Sequence, residues 1–429
     1  APYADQIMLP LVIALNGIGL AMIARVHIAL ENRDASWDVD PSRQMMWVVV
    51  GAVAAITVLI ALRDHRTLRR YTWTALIAGL ILLLLPMVPG IGMTINGSQL
   101  WVRVGPLSLQ PAELAKICFA VFFAGYLVTH RDTLTLAGRK VLGITLPRLR
   151  DPGPIILAWA VSVGVLLSQR ELGTSILLFG LFIAMLYVAT ERLSWVIIGA
   201  LLTLGGVALV AMNVGYVGAR FDVWLHALSP EIYNRNPGGS GQIVSGLFGM
   251  ANGGLFGTGW GEGFPQLTYS ANADMIVPSL AEELGLVGVI AILLMYVILA
   301  QRGMRTAIGI RDGFGKLLAC GLAFILALQC FIVVGGATRV IPLSGLTMPF
   351  LAAGGSSLLA NWTILALLLR LSDGARRPGS SVEPTPVPVL APASATPAAV
   401  AASAPAAAPD SATAPAPAPA TSAAEVEQR

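Results

Sequence analysis

Long apolar runs of about twenty residues, almost free of charge, recur along most of this chain. A helix rises about 1.5 Å per residue, so roughly 20 such residues match the hydrocarbon thickness of a bilayer. The runs cover residues 7–25, 45–62, 72–89, 111–129, 154–168, 173–190, 193–213, 275–301, 316–338 and 347–370. Hydrocarbon offers no partner for a free backbone amide, so each run is either a helix or part of a closed barrel. Barrel strands alternate apolar and polar residues, which Leu80–Leu85 does not do. The fold class is therefore an all-α polytopic membrane protein with about ten transmembrane helices. Composition agrees: charged residues make up 12% of the 429, about half the share of a soluble domain, and mean hydropathy is +0.75. A soluble enzyme is excluded. The first run lacks a basic segment before it, so it reads as a span rather than a cleavable signal peptide.

Charge sets the expected orientation. The 63–71 loop carries Arg63, Arg66, Arg69 and Arg70, and the 302–316 loop carries Arg302, Arg305, Arg311 and Lys316. The 130–153 loop and the residues after the last span are similarly basic. Intervening loops hold few such residues. The positive-inside rule then places both termini in the cytoplasm and the sparse loops outside. Because the cations follow topology, the net charge of +4 does not point to nucleic acid. From about Pro378 the sequence turns to Ala, Pro, Ser and Thr, which reads as a disordered cytoplasmic tail. The expected division is a membrane domain, 1–373, with a large outer loop at 214–273, and a tail at 374–429.

Other chemistries find no foothold. Cys118, Cys320 and Cys330 lie in apolar runs and read as small core residues. His27, His65, His130 and His226 show no metal spacing. There is no GxxxxGK[ST], GxSxG elbow or soluble nucleotide-binding segment, which argues against an ATP-driven pump.

The outer loop is too long for a connector and rich in glycine and aromatics, so it reads as a folded lid over a cavity. Ile243, Val244, Leu247, Phe248, Leu255, Phe256 and Trp260 in it call for burial. Ionisable residues at membrane depth are costly and become candidates for function. Glu113 and Lys116 in "QPAELAK" share one helix face, as a structural ion pair or a functional one. Glu171 in "QRELGTS" lies at a short outer turn, where packing or capping fits better than catalysis. Glu282 and Glu283 follow each other in the helix after the large loop, so they point to different faces. Asp274 begins that helix at the boundary with water, either as a cap or as a catalytic carboxylate. Arg103, Arg220 and Arg339 lie on the sparsely charged side. They suit a pyrophosphate or a lipid headgroup, or simple interfacial anchoring.

Several stretches together, "GSQLWVRVGPLSLQPAELAKI", "QRELGTSILL", "GGLFGTGWGEG", "ADMIVPSLAEELGLVG" and "IPLSGLTMPFLAAGGSSLLANW", resemble the SEDS proteins (shape, elongation, division and sporulation), the RodA/FtsW-type peptidoglycan polymerases. The resemblance spans 7–372. It implies polymerisation of lipid II into glycan strands on the outer face of the cytoplasmic membrane, in complex with a class B penicillin-binding protein. It also implies that Asp274 is the essential acid and that Glu113 and Lys116, after Arg103 and Gln110, form the fourth-helix pair. A divalent cation, Mg or Mn, sharing the pyrophosphate charge is compatible with the resemblance, although no ligand spacing shows one.

Where the family usually has His-Thr-Asp-Phe, this chain has Asn272-Ala273-Asp274-Met275, and its Ser-Tyr-Gly-Gly-Ser becomes Ala352-Ala353-Gly354-Gly355-Ser356. The Gln-Ser of the large loop appears as Ser245-Gly246. The Ala/Pro-rich tail resembles an actinobacterial elongation-type member. A division-type polymerase, a lipid II flippase and a non-catalytic scaffold for the partner stand as alternatives. Neither a flippase nor a scaffold needs a carboxylate at the outer rim.

Overall fold

The structure, a computed structural model, describes residues 2–31, 39–95, 98–105, 107–135, 140–141, 144–145, 153–235 and 238–377. The expected tail from Pro378 onward lies outside the described residues. Helices α1 (Met8–Glu31), α2 (Pro41–Ala61) and α3 (Thr72–Leu84) lead to a three-stranded antiparallel sheet, β1 (Gly92–Ile95), β2 (Ser98–Val104) and β3 (Leu107–Leu109). Then follow α4 (Pro111–Thr135), a two-residue ribbon β4 and β5 (Lys140–Val141 and Ile144–Thr145), α5 (Gly153–Ser168), α6 (Leu172–Thr190) and α7 (Leu193–Asn213). The large loop holds α8 (Gly215–Leu225), α9 (Pro230–Tyr233) and α10 (Gly241–Gly253). The bundle closes with α11 (Ile276–Gly309), α12 (Gly313–Ala337) and α13 (Gly355–Arg376). Among the described residues, nine helical segments are long and apolar enough to span, and α5 supplies a shorter tenth.

Helix boundaries follow local chemistry. The Asp40 carboxylate accepts the Arg43 amide, with Pro41 opening α2, and Asp312 caps α12 by accepting the Gly315 amide. The third apolar run leaves α-geometry at Leu84, because Pro86 brings no amide donor and the chain tightens into a short 3-10 turn. The last helix starts at Gly355 rather than 347 and runs past the expected domain boundary to Arg376. The residues before it, 339–354, form an irregular segment that nonetheless buries Leu346, Met348, Phe350 and Leu351. The sheet was not foreseen. Its register sets Met93 opposite Trp101 and Arg103 opposite Ser108.

Three helices make the interior. Burial reaches 78% of the apolar window in α4 and in α13, and 72% in α12, against 12% in α7, which faces outward. At one end of the bundle the N-terminal residues meet the last helix. The Tyr3 amide donates to Asp373 at 2.9 Å, the Asp5 amide to Ser372 at 3.0 Å, and Arg376 pairs with Asp5. His65 and Asp312, which meet at 2.8 Å, lie at the same end. This is the end of the arginine-rich loops. The large loop covers the other.

The loop is folded, yet its apolar residues are not all buried as its composition suggests. Ile243 and Val244 are inside, whereas Phe248, Leu255, Phe256 and Trp260 are exposed. The reason is position. Leu255 bonds through its carbonyl to the amide of Val287, so Leu255 and Phe256 extend the apolar surface that Leu286 and Val287 present outward.

Candidate active site

Lys116 is fully buried in the centre of the bundle, at 1% exposure. Its ammonium spends its three protons on Glu113 Oε2 at 2.6 Å, Gln329 Oε1 of α12 at 2.8 Å and Asn361 Oδ1 of α13 at 3.4 Å. One cation thus ties the three interior helices together. Gln329 passes the link on, donating to the Thr347 carbonyl at 2.9 Å, and Asn361 donates to Ser357 Oγ at 3.2 Å. Neither amide was singled out from the sequence. The available signal was a polar side chain in mid-span, in "LALQCF" and "LLANWT".

Nearer the loop end, Gln110 precedes α4 and donates to Glu171 Oε1 at 2.8 Å, which also accepts the Thr174 hydroxyl. The other carboxylate oxygen of Glu171 is buried without a partner. Burial pushes the Glu171 carboxyl up to about 7. The Glu113 charge adds to that rise, while Thr174, Gln110 and Arg220 oppose it. Arg220, on α8, donates from Nη1 to the carbonyls of Leu343 (2.7 Å) and Ser344 (3.1 Å). Its guanidinium feels the charges of both Asp274 and Glu171.

Asp274 sits in the turn before α11, and Met275 rather than Asp274 is the N-cap. Its carboxylate therefore does not cap the helix, the alternative its position left open. Ala273 and Met275 both donate their amides to the Ser270 carbonyl, which fixes the turn. The carboxylate is partly accessible and accepts no hydrogen bond from any described residue. Burial pushes it up to about 6, against the pull of Arg220. The Asn272 carbonyl accepts the Ala353 amide at 2.8 Å, and Gln44 of α2 braces both Ala352 and Gly354. The two stretches that depart from the usual family residues are thus joined through backbone, which needs no particular side chain.

Glu282 and Glu283 hold the same loop through different partners. Glu282 accepts the Asn252 side chain and the Phe264 amide, both at 3.1 Å. Glu283 accepts the Gly261 amide at 3.1 Å and pairs with Arg25 of α1 at 3.0 Å. Both carboxylates grip the same loop, which packs against the break of α11 at Gly285, where φ is +70°. Loop residues dock into the break: Leu286 and Val287 donate to the carbonyls of Gly254 and Leu255, while Thr258 and Gly259 donate to those of Glu282 and Glu283. A Cβ on Gly285 would stand 2.3 Å from the Gly257 nitrogen. Arg25 adds two bonds to the carbonyls of Gly261 and Gly263.

The other two expected phosphate ligands sit on other parts of the chain. Arg339 spends its guanidinium on the carbonyls of Trp224 (2.7 Å) and Leu225 (2.9 Å), closing the end of α8. Arg103 is exposed on β2. Arg220 is the guanidinium whose charge acts on Asp274. No group of three His, Cys, Asp or Glu among the described residues could cage a metal ion.

Known proteins resemble the chain over most of its length. The FtsW, RodA and SpoVE family model, described as cell cycle protein, matches residues 6–377. The chain belongs to this family. Among curated relatives of this SEDS chain, peptidoglycan glycosyltransferase RodA of Mycobacterium bovis is 46% identical over 380 residues, covering 88% of this chain and 80% of the relative. The probable peptidoglycan glycosyltransferase FtsW of Trichlorobacter lovleyi is 32% identical over 379 residues, covering 87% and 94%. A solved structure described as structural coordination of polymerization and crosslinking by a peptidoglycan synthase complex aligns with a TM-score of 0.67 at 25% identity, covering 87% of this chain and 99% of that one. Rod shape determining protein RodA of Thermus thermophilus shares the fold, with a TM-score of 0.59 at 23% identity, covering 87% and 98%.

Proposed function

We propose that this chain is an elongation-type peptidoglycan glycosyltransferase that polymerises lipid II at the loop end of its bundle, with Asp274 as general base. The elongation assignment follows the relatives: identity is 46% to the mycobacterial RodA and 32% to the FtsW. In the reaction, the 4-hydroxyl of an acceptor sugar attacks the anomeric carbon of a donor. The new C–O bond forms as the bond from that carbon to the pyrophosphate breaks, and polyprenyl pyrophosphate leaves with the electron pair. The hydroxyl proton passes to the carboxylate. A sugar hydroxyl is a poor nucleophile, so a positioned base is needed. The leaving group gathers negative charge, so a cation must face it.

One observation carries the reading. Asp274 is a carboxylate without a hydrogen-bond partner among the described residues, held in a turn closed by two backbone bonds and within reach of the Arg220 charge. Arg220 uses Nη1 on the backbone, and its remaining donors suit phosphate oxygens. The orphaned oxygen of Glu171 offers a further acceptor for a substrate hydroxyl. Loop charge supports cytoplasmic termini and an extracytoplasmic site in the cytoplasmic membrane. A class B penicillin-binding protein is the proposed partner.

The test is glycan-strand synthesis from purified lipid II, with the partner present. Asp274→Asn is nearly isosteric but a far weaker proton acceptor, and the rate should fall about 10²–10⁴-fold. A near wild-type rate would remove the base assignment. Lipid II transport without strand synthesis in the wild type would favour a flippase instead.

A further inference from the structure

We propose that the arginine-rich end of the bundle, opposite Asp274, holds a binding site for the phosphate headgroup of an anionic membrane lipid. A cavity of about 380 Å³ opens there between the 3-10 turn His65–Tyr71 and the start of α12, lined by Arg66, Arg69, Arg311 and Asp312. A second, of about 170 Å³, lies on the other side of Arg69 and adds Arg70 and Trp73. Four guanidinium groups thus converge on one short stretch of surface.

The negative charge within reach does not answer them. Asp312 meets Arg66 at 3.6 Å, but the same carboxylate is already held by His65 at 2.8 Å and by the Gly315 amide at 2.7 Å. Arg69, Arg70 and Arg311 meet no carboxylate within ion-pair distance among the described residues. Loops at a membrane boundary are often basic for topology alone. Here, however, the arginines line concave spaces instead of spreading over a convex face. A guanidinium fork binds phosphate oxygens in pairs, which favours phosphate over a carboxylate or chloride.

The surroundings favour a lipid over free phosphate. Trp73 is 55% exposed at the rim, and Ile77, one turn further along α3, is 56% exposed. An indole at the edge of a lipid-facing helix marks headgroup depth. A phosphate held by Arg69 would leave acyl chains free to run along α3. The site is remote from Asp274, so it stands or falls independently of the catalytic reading.

The experiment measures the thermal shift and the lipid adducts, by native mass spectrometry, of the full chain in detergent. Phosphatidylglycerol, phosphatidylcholine and inorganic phosphate are titrated in parallel. Phosphatidylglycerol should bind and stabilise; phosphatidylcholine should not. Arg69→Gln and Arg311→Gln should each weaken phosphatidylglycerol binding about fivefold, and together about 25-fold. Both side chains are exposed, so neither change threatens folding. Arg305→Gln, at the same end but outside both cavities, should leave binding unchanged. The proposal is overturned if the double variant binds phosphatidylglycerol like the wild type. It is equally overturned if Arg305→Gln weakens binding as much, or if inorganic phosphate gives the same stabilisation as the lipid.

Discussion

Replacing Lys116 by methionine should destabilise the protein more than any other single change in the polar interior. The substitution keeps the length of the side chain and removes the charge. Glu113, 3% exposed, then holds a carboxylate with no cation at 2.6 Å, and Gln329 and Asn361 each lose a donor. Breaking a buried pair by deleting one partner costs roughly 3–5 kcal/mol. Each orphaned amide oxygen that finds no substitute donor adds about 1–3 kcal/mol. Glu113→Gln should cost less, since the ammonium keeps Gln329 and Asn361. The double variant Glu113→Gln/Lys116→Met buries no charge and should recover about 2 kcal/mol or more of the Lys116→Met loss. Unfolding is followed in detergent micelles for wild type, both singles and the double. If the double loses the sum of the two singles to within about 0.5 kcal/mol, the residues are not coupled and the reasoning fails.

Three further outcomes are expected. The polymerisation rate should rise with pH through about 6, where Asp274 loses its proton. Arg220→Gln should move that rise to higher pH, because the cation lowering the Asp274 pKa is gone; an unmoved limb would separate the two residues. Glu171 has a pKa raised to about 7. Its contribution is therefore intact below the unfolded value near 4.5 and is lost as pH climbs through 7, at a cost of roughly 3 kcal/mol. Glu171→Gln should thus gain on the wild type in melting temperature between pH 6 and pH 8, and an equal gap at both pH values would contradict this. Gly285→Ala forces a Cβ into a backbone region that essentially only glycine occupies, costing about 1–3 kcal/mol before any clash. Limited proteolysis should then cut within 254–263 faster than in the wild type, and unchanged cleavage would mean the loop does not depend on that break.

Helical spans were legible because hydrocarbon length and charge exclusion write themselves directly into sequence. Turn geometry was less so. The short sheet at 92–109 arises from backbone pairing between modest stretches, and no periodic pattern long enough to declare it exists there. Asp274, Glu113, Lys116, Gln110, Glu171 and Arg220 could be picked out as ionisable or polar groups at apolar boundaries. Which arginine acts on Asp274 could not, because Arg103, Arg220 and Arg339 look alike in sequence. What separates them is where the chain places carbonyls: those of Trp224 and Leu225 consume Arg339. That Glu282 and Glu283, through different partners, hold one loop was not legible because the loop's path around the break at Gly285 was not.

That break also limits how the outer cover can move. The amides of Leu286 and Val287 find their acceptors on Gly254 and Leu255, at a level where the neighbouring side chains are apolar and exposed. Swinging the loop away like a hinged flap would leave those amides bare at the edge of hydrocarbon, at several kilocalories per mole each. The loop is therefore bound to both sides of the break, through Glu282 and Glu283 before it and Leu286 and Val287 after it, and Asp274, at the head of the same helix, stays with its own cover.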